Sequence, residues 1–258
     1  MATDLAPLLA DLRAEQADLR AVVEPAEIDQ PTPAAGWSIR DAISHLVGTD
    51  VEATLAARDP DAFVAKLPSV GADIDGFVTD QLSARRDLPK FDLIAQWQQG
   101  FESMVEAVGS AEPSAKLPWY GPPMSPASFV TARIMEYWAH GQDIVDALGI
   151  ARPGTDRLRH ICHLGVRTRG FAYANRGLPA PTEPVAVRLT SPKGQTWSYG
   201  DPDAADQVSG PALDFCLLVT QRRHRDDTAL VARGASAQEW LSIAQCFAGP
   251  PGAGRPPR

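Results

Sequence analysis

Apolar residues recur at helical spacing through the first half of the chain, and at two-residue spacing only later. Leu5, Leu8, Leu9, Leu12, Leu19, Val22 and Val23 mark one face of a helix over residues 3–24, which Pro25 ends. After Trp37, Ser38 stands as an N-cap with Asp41 three residues on, an Asp version of the capping box. The helix behind it, 39–58, carries Ile43, Leu46, Val47, Val51 and Leu55 on its apolar face, with His45 beside the stripe. Residues 71–86 and 90–109 predict two more helices, parted by Leu88 and Pro89. The stretch 117–124, LPWYGPPM, is a turn-rich loop. Ser125 then caps a helix with Pro126 in its first position, where a missing N–H costs nothing. That helix runs to Leu148 and ends at Gly149. These segments predict a four-helix bundle with one extra short helix.

The pattern changes in the second half. Residues 156–175 predict a helix. Val185–Thr190 and Thr196–Tyr199 alternate apolar and polar side chains in part, joined by the turn Ser191-Pro192-Lys193-Gly194. A short strand around Val208 leads into a helix at 211–222, followed by a strand at 229–232 and a helix at 236–247. The fold class is therefore α+β. The boundary falls in ALGIARPGTD, 147–156, dividing the chain into a helical bundle, 1–152, and an α+β domain, 153–247. The Gly/Pro-rich end, 248–258, reads as a flexible tail.

Composition narrows the function classes. Hydrophobic residues make up 44% and charged residues 22%, the balance of a soluble globular protein. No apolar run approaches the length needed to cross a bilayer, so no membrane association is expected. The start, MATDLAPLLADLRAEQADLR, places acids where an export signal carries basic residues. Cys162, Cys216 and Cys246 are odd in number and widely spread, which fits a reducing cytoplasm better than a disulfide framework. A net charge of −8 argues against a nucleic-acid partner, which calls for a basic face. The compact basic run Arg222, Arg223, His224, Arg225 is followed at once by Asp226 and Asp227.

The candidate chemistry lies in TARIMEYWAHGQD. Glu136 and His140 are four residues apart, on one helical face, where both can reach a single ion. A carboxylate and an imidazole suit Zn²⁺ or a similar divalent metal such as Ni²⁺. His45, on the earlier helix, is the third candidate, since facing helices of a bundle build metal sites from inward-pointing side chains. Two His and one carboxylate would leave a coordination position open, as a catalytic site requires. From the residues alone, three ordinary side chains on solvated faces explain the pattern equally well. His160, Cys162 and His163 are a weaker set, because position 162 points away from the other two. Trp119, Tyr120 and Trp138 could wall a pocket, packing being the stronger reading for Trp138.

WSIRDAISHL and ARIMEYWAHGQDIVDALG resemble the two metal-binding signatures of the mycothiol-dependent maleylpyruvate isomerase family, within the DinB/YfiT-like metalloprotein superfamily. The first is Trp-(Ser/Thr)-x-x-Asp followed by His-Leu, met here by Trp37, Ser38, Asp41, His45 and Leu46. The second is Arg-x-x-Glu-x-x-x-His-x-x-Asp, met by Arg133, Glu136, His140 and Asp143. The resemblance covers residues 1–150, and the second half is similar to the sterol-carrier-protein-like module that follows in this family. It implies His45, Glu136 and His140 as ligands of one Zn²⁺ or related ion, and mycothiol as a low-molecular-weight thiol cofactor. The activity it implies is cis–trans isomerisation or S-transfer through a metal-bound thiolate, on a small carboxylate-bearing substrate. The run LLVTQRR is similar to a stretch where the family places an arginine in the active-site cleft, which maps onto Arg222. Arginine suits a carboxylate because it binds it in a bidentate way.

Other roles stay open at this stage. Arg133 could pair with Glu136 or near Asp143; Asp143 or Asp50 could orient a ligand; each reads equally as a bundle salt bridge. His163 and Arg167, also four apart, could line a cleft. Two further functions stand beside the thiol-dependent enzyme: a thiol-independent Lewis-acid catalyst on a small carbonyl metabolite, and a non-catalytic small-molecule binder. A monomer or homodimer fits either.

Overall fold

A computed structural model describes residues 4–252 and 254–257. The first residue of the helix predicted from residue 3, and Ala253 and Arg258 of the predicted tail, lie outside the described residues. The architecture is mixed, with helices and one four-stranded sheet among the described residues, as expected for an α+β chain. None of the described helices is long and apolar enough to cross a membrane. Contacts divide the chain into two compact units, Met1–Ala151 and Arg152–Arg258.

In the first unit, α1 (Ala6–Val23), α2 (Ile39–Arg58), α5 (Lys90–Gly109) and α6 (Pro126–Leu148) are the long helices, with α3 (Pro60–Ala72) and α4 (Ile74–Ser83) between α2 and α5. Leu12 and Leu19 of α1, Ile43 and Leu46 of α2, Trp97 and Phe101 of α5, and Phe129 and Ile134 of α6 share one buried cluster. Area removed from water drives this packing, at roughly 25 cal/mol per Å². The start of α2 is built locally. Ser38 N donates to Asp41 Oδ2 at 2.8 Å and Asp41 N donates to Ser38 Oγ at 3.2 Å, closing the reciprocal capping box. Helix α6 begins with Ser125 Oγ accepting from Ser128 N at 3.3 Å and ends at Gly149, whose φ of 65° suits a residue without a Cβ. Buried on most sides, α6 carries Arg133 and Asp143 into the interior. Buried polar groups of this kind must find partners or cost several kcal/mol, about 2–7 for an unpaired amide or hydroxyl.

The structure departs from the sequence reading between α2 and α5. Two helices fill the space where one was expected over 71–86. Asp59 caps α3 by accepting from Ala62 N at 3.0 Å, and Pro60 takes the first position. Asp73 caps α4, accepting from Gly76 N at 2.8 Å. The punctuation of Pro68 and Gly71 hides this arrangement, since a proline inside a helix is normally a break. Phe63 and Val70, both buried, anchor α3 all the same.

In the second unit, α7 (Leu158–Arg167) and α8 (Arg169–Ala174) replace the single predicted helix. The break falls at Thr168, whose hydroxyl donates back to Leu164 O at 2.8 Å. The sheet follows, in the order β2-β1-β3-β4. Strand β1 (Val185–Thr190) pairs antiparallel with β2 (Thr196–Tyr199) and parallel with β3 (Asp206–Pro211), and β3 pairs antiparallel with β4 (Val231–Arg233). The turn out of β2 needs glycine: Gly200 has φ 77°, and a Cβ there would lie 2.5 Å from Val185 O. Helices α9 (Ala212–Val219) and α10 (Ala235–Ile243) complete the unit. The three cysteines are buried in it, with Cys162 and Cys216 Sγ 3.5 Å apart despite their distance in sequence. After α10 the described residues form no helix or strand, and Gly249 O accepts from Asn175 Nδ2 at 2.9 Å.

Ser38→Ala opens the capping box of the helix that carries His45. We expect a loss of about 1 kcal/mol, seen as a lower urea midpoint at unchanged m-value. An unshifted midpoint would mean that packing alone holds the start of α2.

Candidate metal centre

Helices α2 and α6 cross so that His45 from one meets Glu136 and His140 from the other. His140 Nε2 stands 3.5 Å from Glu136 Oε2, and His45 Nε2 stands 3.8 Å from the same oxygen. One ligand atom from each residue lies within 4.8 Å of the other two, and this is the one such group of His, Cys, Asp or Glu among the described residues. Tetrahedral ligands about 2.0–2.1 Å from Zn²⁺ sit roughly 3.3 Å from one another. At 3.5 and 3.8 Å from Glu136 the two imidazoles stand a little beyond that spacing, which makes the three residues a candidate group for one ion. They are also too far apart for good hydrogen bonds to one another.

The electrostatics fit the same reading. Burial pushes the His45 imidazole below its usual range, against the pull of Glu136, so its nitrogen lone pair is available. Burial opposes the charge on Glu136, but His140 and His45 beside it outweigh burial and hold its carboxyl well below the usual range. An ionised carboxylate facing imidazole nitrogens is a donor set of two N and one O, which suits Zn²⁺ or a related divalent ion. Both Nδ1 atoms are buried and lack a hydrogen bond. His140 Nδ1 faces Asp143 Oδ2 at 3.6 Å, where a small closure would give a ligating imidazole its usual carboxylate partner.

Trp37 frames the site. Its ring stacks on His140 at 5.7 Å and 8°, and meets His45 edge-on at 5.3 Å. The aromatics that the sequence offers as a possible pocket wall are Trp119, Tyr120 and Trp138, with packing the stronger reading for Trp138. Trp119 and Tyr120 instead join Phe63 in a separate cluster, where Tyr120 Oη donates to Glu52 at 2.9 Å. Trp138 is buried.

Beneath the donors lies a network that the sequence left open. Arg133 Nη2 donates to Asp50 Oδ1 at 2.7 Å and to Thr49 Oγ1 at 3.0 Å, both on α2. Tyr137 Oη donates to Asp50 Oδ2 at 2.5 Å, and Trp97 Nε1 on α5 donates to Tyr137 Oη at 2.9 Å. Asp50 and Arg133 are almost fully buried, at 0% and 2% exposure of their side chains. Burial opposes the Arg133 charge, but Asp50 and Glu136 outweigh it and hold the guanidinium above its usual range. Arg133 thus pairs with Asp50 on α2, where spacing on α6 left Glu136 and the neighbourhood of Asp143 open as partners. Tyr137 and Trp97 carried no local signal, because their partner sits on another helix.

The remaining sequence candidates lie in the second unit. Arg222 follows the end of α9, and its Nη1 donates to Thr220 O at 2.7 Å. His163 and Arg167 are exposed on α7, while Cys162 is buried behind them.

Comparison with known proteins gives a consistent picture. Residues 9–145 match the family model described as the mycothiol maleylpyruvate isomerase N-terminal domain. Two uncharacterized proteins from two strains of Mycobacterium tuberculosis, Rv0036c and MT0041, are each 47% identical over 255 residues, covering 98% of this chain and 99% of the relative. A crystal structure of mycothiol-dependent maleylpyruvate isomerase superposes with a TM-score of 0.60 at 12% identity, covering 89% of this chain and 93% of that one. A histidine-to-alanine mutant of that isomerase gives 0.59 at 12% identity, covering 88% and 93%. At that identity the likeness is one of fold.

Two predictions follow from the buried groups. Asp50→Asn leaves Arg133 charged and uncompensated, and we expect a loss of about 3–5 kcal/mol in urea unfolding; Tyr137→Phe should cost less, about 1.5–3 kcal/mol. Equal and small losses would mean that water reaches the network. The second concerns pH. His45 titrates lower in the folded protein than in the unfolded one, so its contribution is complete above about pH 6.5 and is lost as pH falls. The urea midpoint of metal-free protein should fall from pH 7.5 to 5.5, and His45→Gln should flatten the fall in part. His163, lowered by partial desolvation and by the charges of Arg167 and His160, adds to the fall in the same direction. An identical slope in the variant would remove His45 as the cause.

Proposed function

The chain belongs to the mycothiol maleylpyruvate isomerase N-terminal domain family, and from that premise we propose that it is a metal-dependent isomerase using a low-molecular-weight thiol, mycothiol. The observation that carries this reading is the convergence of His45, Glu136 and His140 from two helices on one point. The ion we assign is Zn²⁺, with Ni²⁺ as the alternative. When bound there, it supplies a Lewis acid that keeps an incoming thiol deprotonated at neutral pH, the nucleophile needed to isomerise an activated C=C bond.

The chain's own residues supply the rest. Glu136 stays ionised beside the two imidazoles and contributes negative charge to the donor set. His45 is kept neutral by its burial, as a ligand must be. Trp37 stacked on His140 limits rotation of that ring. The thiol has to come from outside, since Cys162, Cys216 and Cys246 are all buried in the second unit. A small substrate bearing a carboxylate needs a cationic anchor, and we assign that role to Arg222 from the likeness of LLVTQRR to the family's stretch. By the same likeness we read the first unit as the DinB-like bundle and the second as the sterol-carrier-protein-like module. S-transfer is the alternative outcome of the same thiolate chemistry, and cytoplasmic residence fits a thiol cofactor.

Elemental analysis tests this directly. Purified protein should carry about one divalent metal per chain, and Glu136→Ala and His140→Ala should lose it. The loaded protein should isomerise maleylpyruvate only when mycothiol is added, and Arg222→Ala should raise KM about tenfold or more, the loss of a charged hydrogen bond. No metal after reconstitution would sink the proposal. Bound metal with thiol-independent turnover would replace it with Lewis-acid catalysis.

A further inference from the structure

The turn that presents Arg222 is built on an unusual residue. Gln221 has φ 59°, the one positive value for a non-glycine among the described residues. Its amide donates to Leu218 O at 2.9 Å, while the amides of Arg222 and Arg223 both donate to Leu217 O, at 2.7 and 3.2 Å. This closes the end of α9 in the left-handed manner that glycine ordinarily serves. Glycine would satisfy the backbone with less strain. A glutamine at this position therefore points to work done by its side chain.

That side chain faces the C-terminal segment. Gln221 Nε2 reaches toward Ala244 O at 3.5 Å. Its Oε1 occupies the space beside Gly252, 2.6 Å from where a Cβ on that residue would sit. The segment from 244 to 252 is itself tied down along its length. Cys246 N donates to Val219 O at 2.9 Å, at the end of α9. The buried Gln245 donates from Nε2 to Phe247 O at 3.1 Å and Gly249 O at 3.2 Å. Asn175 Nδ2 holds Gly249 O at 2.9 Å and Arg176 Nη2 holds Gly252 O at 3.3 Å, both from the end of α8. A stretch rich in glycine and proline is thus laid across the turn by side chains from three directions.

We propose that the C-terminal segment is a strap that holds Gln221 in its left-handed conformation, making Gln221 the positioning residue for Arg222. The consequence for catalysis rests on the reading of Arg222 as the carboxylate anchor. The chemistry is directional. A guanidinium grips a carboxylate through two parallel N–H···O bonds, so its heading matters as much as its charge. The backbone at 221 sets where the side chain at 222 departs. Arg222 Nη1 folds back on Thr220 O, the residue on the other side of Gln221, so a flip of the turn would alter both ends of that contact.

The test uses the full chain with three variants: Gly252→Val, Gln221→Gly, and the two combined. Valine at 252 takes the space of the Gln221 carboxamide and lifts the strap. Hydrogen exchange of the amides of Arg222 and Arg223 should then speed up on the order of tenfold. KM for maleylpyruvate with mycothiol should rise about threefold to tenfold at unchanged kcat, as expected when positioning of a binding group is lost. Metal content should not change. Gln221→Gly in the same chain should restore both readouts, because glycine holds the turn without a strap and leaves room for the valine. Unchanged amide exchange in Gly252→Val would overturn the strap. Faster exchange that glycine at 221 does not reverse would overturn Gln221 as the positioning residue. Faster exchange with unchanged KM, in a protein where Arg222→Ala raises KM, would overturn the link to Arg222. If Arg222→Ala itself leaves KM unchanged, the anchor reading falls, and amide exchange still decides the strap.

Discussion

The candidate centre depends on the ion pair between Asp50 and Arg133, which fastens α2 to α6 inside the first unit. His45 is five residues before Asp50, and Glu136 is three after Arg133. A slip of one residue on either helix would turn one of these side chains by about 100° and separate the donors. Hydrophobic packing is poorly suited to prevent such slips, because apolar surfaces tolerate repacking. A buried charge pair does not tolerate it, since a broken pair leaves a charge in a medium that cannot solvate it. Thr49, Tyr137 and Trp97 extend the constraint, so that three helices are keyed to one carboxylate.

This arrangement separates two tasks that a single set of polar residues would perform badly. In the lower layer both oxygens of the buried Asp50 carboxylate are met, one by Arg133 Nη2 and the other by Tyr137 Oη. The upper layer, His45, Glu136 and His140, is apposed at distances beyond good hydrogen bonds and keeps its lone pairs facing a common point. The layers also speak to each other through charge. Arg133 is held above its usual range in part by Glu136, so the cation below the site favours an ionised carboxylate within it. Two imidazoles and a carboxylate brought together in this way form a candidate group for a divalent cation.

The second unit handles polar groups differently. Its sheet and helices bury the three cysteines as small apolar side chains, with no part in an exposed thiol site. The polar effort goes into the chain end, where carbonyls of residues without regular structure are met by Asn175, Arg176 and Gln245. Irregular backbone is stable at a surface only when such bonds are made or water makes them. Here protein groups make them, next to the left-handed turn of Gln221.

Periodicity and capping residues alone determined most of the helices, because α-helical spacing, Ser38 with Asp41, Ser125 with Pro126, and Gly149 are local signals written within a few residues. The Glu136 and His140 pair was legible for the same reason, being one turn apart on one helix. The α3 segment was not, since its proline and glycine read as breaks while burial of Phe63 and Val70 decided otherwise. Only the tertiary structure chose among the roles open to Arg133, gave Trp37 its place on His140, and brought Cys162 against Cys216. Each of these depends on partners dozens of residues away, and sequence spacing carries no distance information across a fold. Whether His45 faces Glu136 was a question of how two helices cross, and that is settled by the packing and the buried charges between them.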